Sequence, residues 1–252
     1  MRTYDRTPLT PEAARALAEL VPEPLGTARV RVVLVEGSDA ARRIFMEIQG
    51  SYGRIVGAPA AMLFIAQTRD AGHMAAVGYV GQQAILEATA LGLGTCWVTG
   101  SFSREDASRY VTLDEGEIVV GVSPVGTGKP GSEPRRKRLP LEEIVEGDIS
   151  PEWLRLALEA ARWAPSARNG QPWRFRVEPG VVTIGYESSG YNGPFAEDPR
   201  ELDCGIAMAN FAVAARAEGI QGGWCLTREG TTLAEFRWVS ASAHTGPDGD
   251  AG

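Results

Sequence analysis

The strongest constraint on this chain is a gapless internal match between two distant stretches. "ILEATALGLGTCWVT" (85–99) lies over "AVAARAEGIQGGWCL" (212–226) without a gap. Ala88 then falls on Ala215, Ala90 on Ala217, Gly92 on Gly219 and Trp97 on Trp224, and an amide stands at the same earlier place in each, Gln83 and Asn210. Past the tryptophans the match stops, because Thr99 meets Leu226. Abundant Ala and Gly could produce one such match by chance. Combined with a repeated helix-then-strand order, it reads as a tandem duplication. Two related halves in one chain would imitate a symmetric dimer, with room for a site in the seam.

The order along the chain supports that reading. Thr10 and Pro11 open a helix in "LTPEAARALAELV", as N-cap and first helical residue. "ARVRVVLVEG" alternates into a strand, "SDAARRIFMEIQGSYGRIV" reads as a helix and "APAAMLFIAQT" as a buried strand. An apolar helix ends at Gly92 or Gly94, and "EIVVGVSPVGTG" is the next strand. "KPGSEPRRKR" is the clearest linker, and after it the pattern restarts with Ser150 as N-cap and Pro151 as first helical residue. "WRFRVEPGVVTIGYE" reads as a hairpin about Glu178-Pro179-Gly180, followed by the second Ala-rich helix and a final strand in "LAEFRWVS". The division predicted is 1–130, 131–239 and a Gly/Ala/Ser-rich tail at 240–252 that looks disordered.

Composition removes several classes of function. A formal net charge of -7 argues against nucleic acid as a partner. No apolar run reaches the roughly 18 residues of a membrane span, and no N-terminal targeting pattern is visible, so a cytoplasmic protein is expected. Three scattered cysteines make no disulfide framework and no zinc spacing. With His73 and His244 as the only histidines, a Ser-His-Asp or His-metal mechanism has little to work with.

Three stretches carry chemistry. In "ARWAPSARNGQPWRF" (161–175) Pro165 stops a helix, Ser166 and Asn169 offer groups that donate and accept, and Trp173 anchors a strand. A helix end with an aromatic core plug explains the same residues without a ligand. "GLGTCWVTGSF" allows close backbone approach to a ligand, or is a glycine C-cap before a loop. "RRKRLP" has cations from Arg135 to Arg138 that could clamp a phosphate, or form a solvated linker. Together they suggest a phosphorylated planar ligand.

These segments resemble the nitroreductase family of flavoproteins. "EAARWAPSARNGQPWRF" is similar to its Pro-Ser-Ser-x-Asn-x-Gln-Pro-Trp segment, "GQQAILEATALGLGTCWVTGSF" to its central helix and flavin-facing loop, and "PVGTGKPGSEPRRKRLPLEEIV" to its C-terminal end. The C-terminal signature stands here at mid-chain, before the N-terminal helix motif, as in fused members with two degenerate halves. The resemblance implies an α+β nitroreductase-like fold, a tandem pseudo-dimer with mixed and antiparallel sheets flanked by helices. It implies FMN as cofactor, NAD(P)H as donor and a small acceptor such as a nitroaromatic or a quinone. No side chain need act as acid or base, because the flavin N5 carries the hydride. Pro165, Ser166 and Asn169 would cover a flavin held by the first half. Trp97, Val98, Thr99 and Gly100 would line its ring, with a Thr99 or Gly100 amide near N5. Arg54 would stand at the pyrimidine edge, and Arg136 and Arg138 would hold the phosphate.

Two departures stand out. The family begins Arg-Arg-Ser-x-Arg-x-Phe where this chain begins "MRTYD", so Arg2 and Tyr4 match only the last Arg-x-Phe. The loop's second serine is Ala167, and the second half lacks a basic tail, so one flavin site per monomeric chain is expected. The missing Arg and Ser also favour an alternative, a non-catalytic or cofactor-altered relative that binds a flavin or another small molecule.

Overall fold

A computed structural model describes residues 1–46, 54–68, 72–131, 137–186 and 198–239. The chain forms α1 (Pro11–Glu19), β1 (Val30–Glu36), α2 (Ser38–Ile44), β2 (Ala60–Gln67), α3 (His73–Ala90), β3 (Gly94–Thr95), α4 (Arg104–Ser108) and β4 (Glu117–Gly126). It continues through α5 (Leu141–Ile144), β5 (Val145–Glu146), α6 (Glu152–Arg162), a single 3-10 turn at Ala167–Asn169, β6 (Trp173–Glu178), β7 (Val181–Tyr186), α7 (Arg200–Ala217), β8 (Gly222–Glu229) and β9 (Thr232–Trp238). The strands make two sheets, β1-β2-β4-β3 and β5-β6-β7-β9-β8. Among the described strands every sheet pairing is antiparallel except β5 with β6, so the fold is α+β with one antiparallel and one mixed sheet.

Side-chain pattern decides which faces are covered. The unbroken apolar run of β2 is buried on both sides. Ala60, Met62, Phe64 and Ala66 enter the main core, while Ala61, Leu63 and Ile65 enter a smaller core against α2. β6 alternates instead, with Trp173 and Phe175 inward and Arg174 and Arg176 exposed. α3 and α7 have no continuous polar stripe, which makes them interior helices. They pack together in a core that takes in residues of both sheets.

The two matched stretches lie on helices of like geometry. α3 and α7 are both 18 residues long and, under the gapless match, begin and end at the same positions. Both close with a left-handed glycine, Gly92 (φ 76°) and Gly219 (φ 77°). The following amides, of Leu93 and Ile220, reach back to Ala88 and Ala215 at 2.9 and 3.0 Å. Sheet order repeats too: β1-β2-β4-β3 corresponds to β6-β7-β9-β8. The hairpin about residues 179–180 forms as expected.

Local expectations need correcting at three points. Ser150 does not cap α6: its hydroxyl bonds Asp148, and Pro151 takes the cap position. The helix expected over 38–56 ends at Ile44, and Val56 instead bridges in parallel to Thr3. The interior helices start earlier than their apolar runs suggested, at His73 and Arg200. Residues 240–252 of the expected tail lie outside the described residues, as do Arg135 and Arg136 of the basic run.

Candidate functional site

The segment 163–171 is where backbone strain concentrates. α6 stops at Arg162, ahead of Pro165, and the chain turns extended at Ser166. Arg168 (φ 52°), Asn169 (φ 60°) and Gln171 (φ 48°) then all adopt left-handed geometry. Such residues cost on the order of 1–3 kcal/mol each and persist where surrounding contacts over-determine them.

Those contacts are specific. The Ser166 hydroxyl accepts from the Gln171 amide at 3.0 Å, and the Ala167 amide donates to both oxygens of Asp203 at 3.0 and 3.1 Å. Arg138 Nη1 donates to Asn169 Oδ1 at 2.7 Å, while Asn169 Nδ2 donates to the Lys137 carbonyl at 3.0 Å. Gln171 Oε1 accepts from the Leu139 amide at 2.9 Å. Arg138 also donates to the Trp163 carbonyl at 3.1 Å and lies 5.6 Å from the centre of that ring. Two motifs thirty residues apart in the chain, Lys137-Arg138 and Ser166–Asn169, are thereby stitched into one place. Asn169, expected to face a ligand, has both ends of its amide engaged in that stitching.

The third motif is tied to α6 through a partly buried polar relay. Trp97 Nε1 donates to Gln82 at 2.8 Å, Gln82 donates to Asn210 at 2.9 Å, and Asn210 donates to the Ala160 carbonyl of α6 at 3.0 Å. The Trp97 ring sits 4.4 Å from that of Phe64 and lies over Gly81, where a Cβ would collide with it. Val98 is buried and exchanges two backbone bonds with Val122 at 2.9 and 2.8 Å. Gly121 leaves room for the Thr99 methyl, and Gly100 is exposed.

Arg2 is half-buried and its carbonyl accepts from the Val56 amide at 3.0 Å. Arg54 is exposed and lines a cleft of about 590 Å³ with Arg6 and Arg42. None of Trp97–Gly100, Arg138 or Pro165–Asn169 is among that cleft's described lining residues.

Sequence reasoning missed Asp203, Gln82 and Gln171, all buried polar residues. The signal for Asp203 was a carboxylate inside an apolar helix. Burial pushes its carboxyl up to about 8, against the lowering effect of the Ala167 amide. Next to it, burial also raises the Cys204 thiol. Among the described residues no group of His, Cys, Asp and Glu could hold a metal, and no helix is long and apolar enough to cross a membrane.

Two sheets about a pair of interior helices, with motifs of this kind at their junction, define a nitroreductase-type α+β fold. The model of the family "Putative TM nitroreductase" matches residues 1–215, and the chain belongs to that family, a group of oxidoreductases. A "putative nitroreductase" of Thermotoga maritima MSB8 shares the fold with a TM-score of 0.63 at 19% identity, over 94% of this chain and 88% of that one. A nitroreductase with bound FMN from Bacteroides fragilis matches 58% of this chain and 92% of its own, with a TM-score of 0.46 at 15% identity. An FMN-dependent nitroreductase of Clostridium difficile matches 54% and 87%, with a TM-score of 0.44 at 16% identity. A search of curated proteins returned no match.

Proposed function

We propose that this protein is an FMN-dependent oxidoreductase that uses NAD(P)H to reduce a small nitroaromatic, quinone or similar acceptor. The observation that carries the reading is the bond from Arg138 to Asn169 inside a strained loop. It joins a basic run suited to a phosphate with a turn rich in hydroxyl and amide groups suited to a flat heterocycle. These residues fit FMN. Arg136 and Arg138 would hold the phosphate, with Arg2 as a further cation. Pro165, Ser166 and Asn169 would border the ring, and Trp97, Val98, Thr99 and Gly100 would line it. FMN, when bound, supplies hydride transfer between nicotinamide and acceptor. The chain's own part is to hold and orient: the Gln82–Asn210 relay fixes Trp97, and the Asp203 carboxyl fixes the loop backbone.

The same reading makes the chain a pseudo-dimer, with halves at 1–130 and 131–239 and one flavin site between them. Matched helix bounds and matched sheet order support it. At the pseudo-equivalent second position Leu226 replaces Thr99, and its side chain closes against Gly26 and Gly72. Gly26 lies between α1 and β1, as the Ser166–Asn169 loop lies between α6 and β6. An apolar plug therefore stands where a second ring would go.

The test is the visible spectrum of the purified protein, with chromatographic identification of released flavin. A yellow protein carrying about one FMN per chain and oxidising NAD(P)H supports the proposal. A colourless protein that cannot retain added FMN overturns it. Bound flavin without NAD(P)H oxidation would favour the binding-protein reading, to which the locked Asn169 amide lends support.

A further inference from the structure

We infer, resting on the flavin reading above, that Glu159, Arg162 and Trp163 at the end of α6 aim Arg138 at a phosphate, and so make the site prefer a phosphorylated flavin to its dephosphorylated form. Arg162 and Trp163 act through Arg138 rather than on the ligand, as positioning residues.

Glu159 is the hub. Its carboxylate accepts from Arg162 as a fork, Nε to Oε2 at 2.7 Å and Nη2 to Oε1, and from Trp163 Nε1 at 3.0 Å. Spacings of three and four residues bring the three side chains together at one end of the helix. The Arg162 and Glu159 side chains are 17% and 35% exposed, so water screens the pair less than a fully exposed one. Arg162 also lies 5.0 Å from the centre of the Trp163 ring, which is thereby held by a cation as well as through its N–H.

From this hub, contacts run to the basic segment. Arg162 Nη1 donates to the Leu139 carbonyl at 3.3 Å. Trp163 places its ring 5.6 Å from Arg138 Cζ, and its carbonyl accepts from Arg138 Nη2 at 3.1 Å. Arg138 Nη1 is bonded to Asn169 Oδ1 at 2.7 Å, so the guanidinium is fixed at both terminal nitrogens. A guanidinium is planar, and two such bonds set the direction of its whole fork of donors. Phosphate recognition depends on that direction, because arginine binds phosphate best through two parallel bonds.

Packing alone does not account for the tryptophan. α6 already buries Leu154, Ala157, Leu158 and Ala161, whereas Trp163 remains 55% exposed. Trp173, which does serve the core, is 0% exposed. The ring-facing loop is held by bonds in which neither the Arg162 nor the Trp163 side chain takes part: Gln171 to Ser166, Ala167 to Asp203 and Leu139 to Gln171. Loss of the latch should therefore reach the phosphate and spare the ring.

Fluorescence titration of the whole protein, freed of flavin, with FMN and with riboflavin tests this. The wild type should bind FMN at least about tenfold more tightly than riboflavin. Arg162→Ala/Trp163→Ala should weaken FMN binding about tenfold and leave riboflavin binding within about twofold. Trp163→Ala alone, a change at an exposed position that should not endanger folding, should weaken FMN binding about threefold, and Trp163→Phe should retain most of the preference because a ring face remains. Ser166→Ala, within the loop, should weaken both flavins alike. Variants at 162 and 163 that keep the wild-type preference, or that lose both flavins together as a merely structural role would require, overturn the inference and leave the flavin reading standing. A wild type that binds neither flavin overturns both.

Discussion

Gly78 and Gly205 face each other's helices at matched positions. A Cβ on Gly78 would collide with the Leu202 carbonyl, and one on Gly205 with the Ala75 carbonyl. Leu202 and Ala75 are themselves equivalent under the gapless match, so the contact is reciprocal in the manner of a two-fold interface. Backbone-to-backbone approach of this kind tolerates no side chain. Gly78→Ala and Gly205→Ala should each cost about 1–3 kcal/mol, read as a lower thermal midpoint, and by similar amounts because the sites are equivalent. A midpoint unchanged by either would mean that the helices do not pack this closely.

The Asp203 carboxyl gives stability a pH dependence of known sign. Its folded value, about 8, lies above the ordinary 3.8, so the folded protein holds the proton more tightly than the unfolded chain. The contribution is fully present below about pH 4 and is lost as pH rises through 8. Asp203→Asn keeps an acceptor for the Ala167 amide and removes the titration. Denaturant midpoints of the wild type should fall between pH 5 and pH 8 relative to those of the variant. Parallel profiles would refute the assignment.

Gln82 is buried and bridges the partly buried Trp97 and Asn210, so removing its amide leaves both without that partner. Gln82→Leu should destabilise the protein by about 1–3 kcal/mol. Under the proposed function it should also lower flavin content, because Trp97 loses its tether. Chemical denaturation and the visible spectrum read the two effects separately.

Arg138→Ala should weaken flavin retention about ten- to a hundredfold, from the magnitude of charged hydrogen bonds. Replacing Arg136 as well should abolish it. Equilibrium dialysis against FMN measures both, and unchanged flavin content would remove these residues from the phosphate site.

Much of the architecture was legible because its signals are local. The gapless match between residues 85–99 and 212–226 depends only on order, and the helices that contain it, α3 and α7, have like bounds, like glycine caps and a glycine contact each with the other. Thr10 caps α1 as expected, its hydroxyl accepting from the Ala13 amide at 3.2 Å. Ser150 failed as a cap because Asp148, two residues away, competes for its hydroxyl. The expected helix at 38–56 failed beyond Ile44 because Val56 finds a strand partner in Thr3, far off in sequence.

The sequence by itself determined the candidate segments: residue types and spacing at 97–100, 135–138 and 165–169 depend on no neighbour. Only the tertiary structure decided how they are used. It bound Asn169 to Arg138, set Asp203 under Ala167 and linked Trp97 to α6 through Gln82 and Asn210. It also placed Arg54 with Arg6 and Arg42 around one cleft. The physical reason is that a hydrogen bond or a cleft needs atoms within a few ångströms, and chain folding sets that distance independently of separation along the sequence.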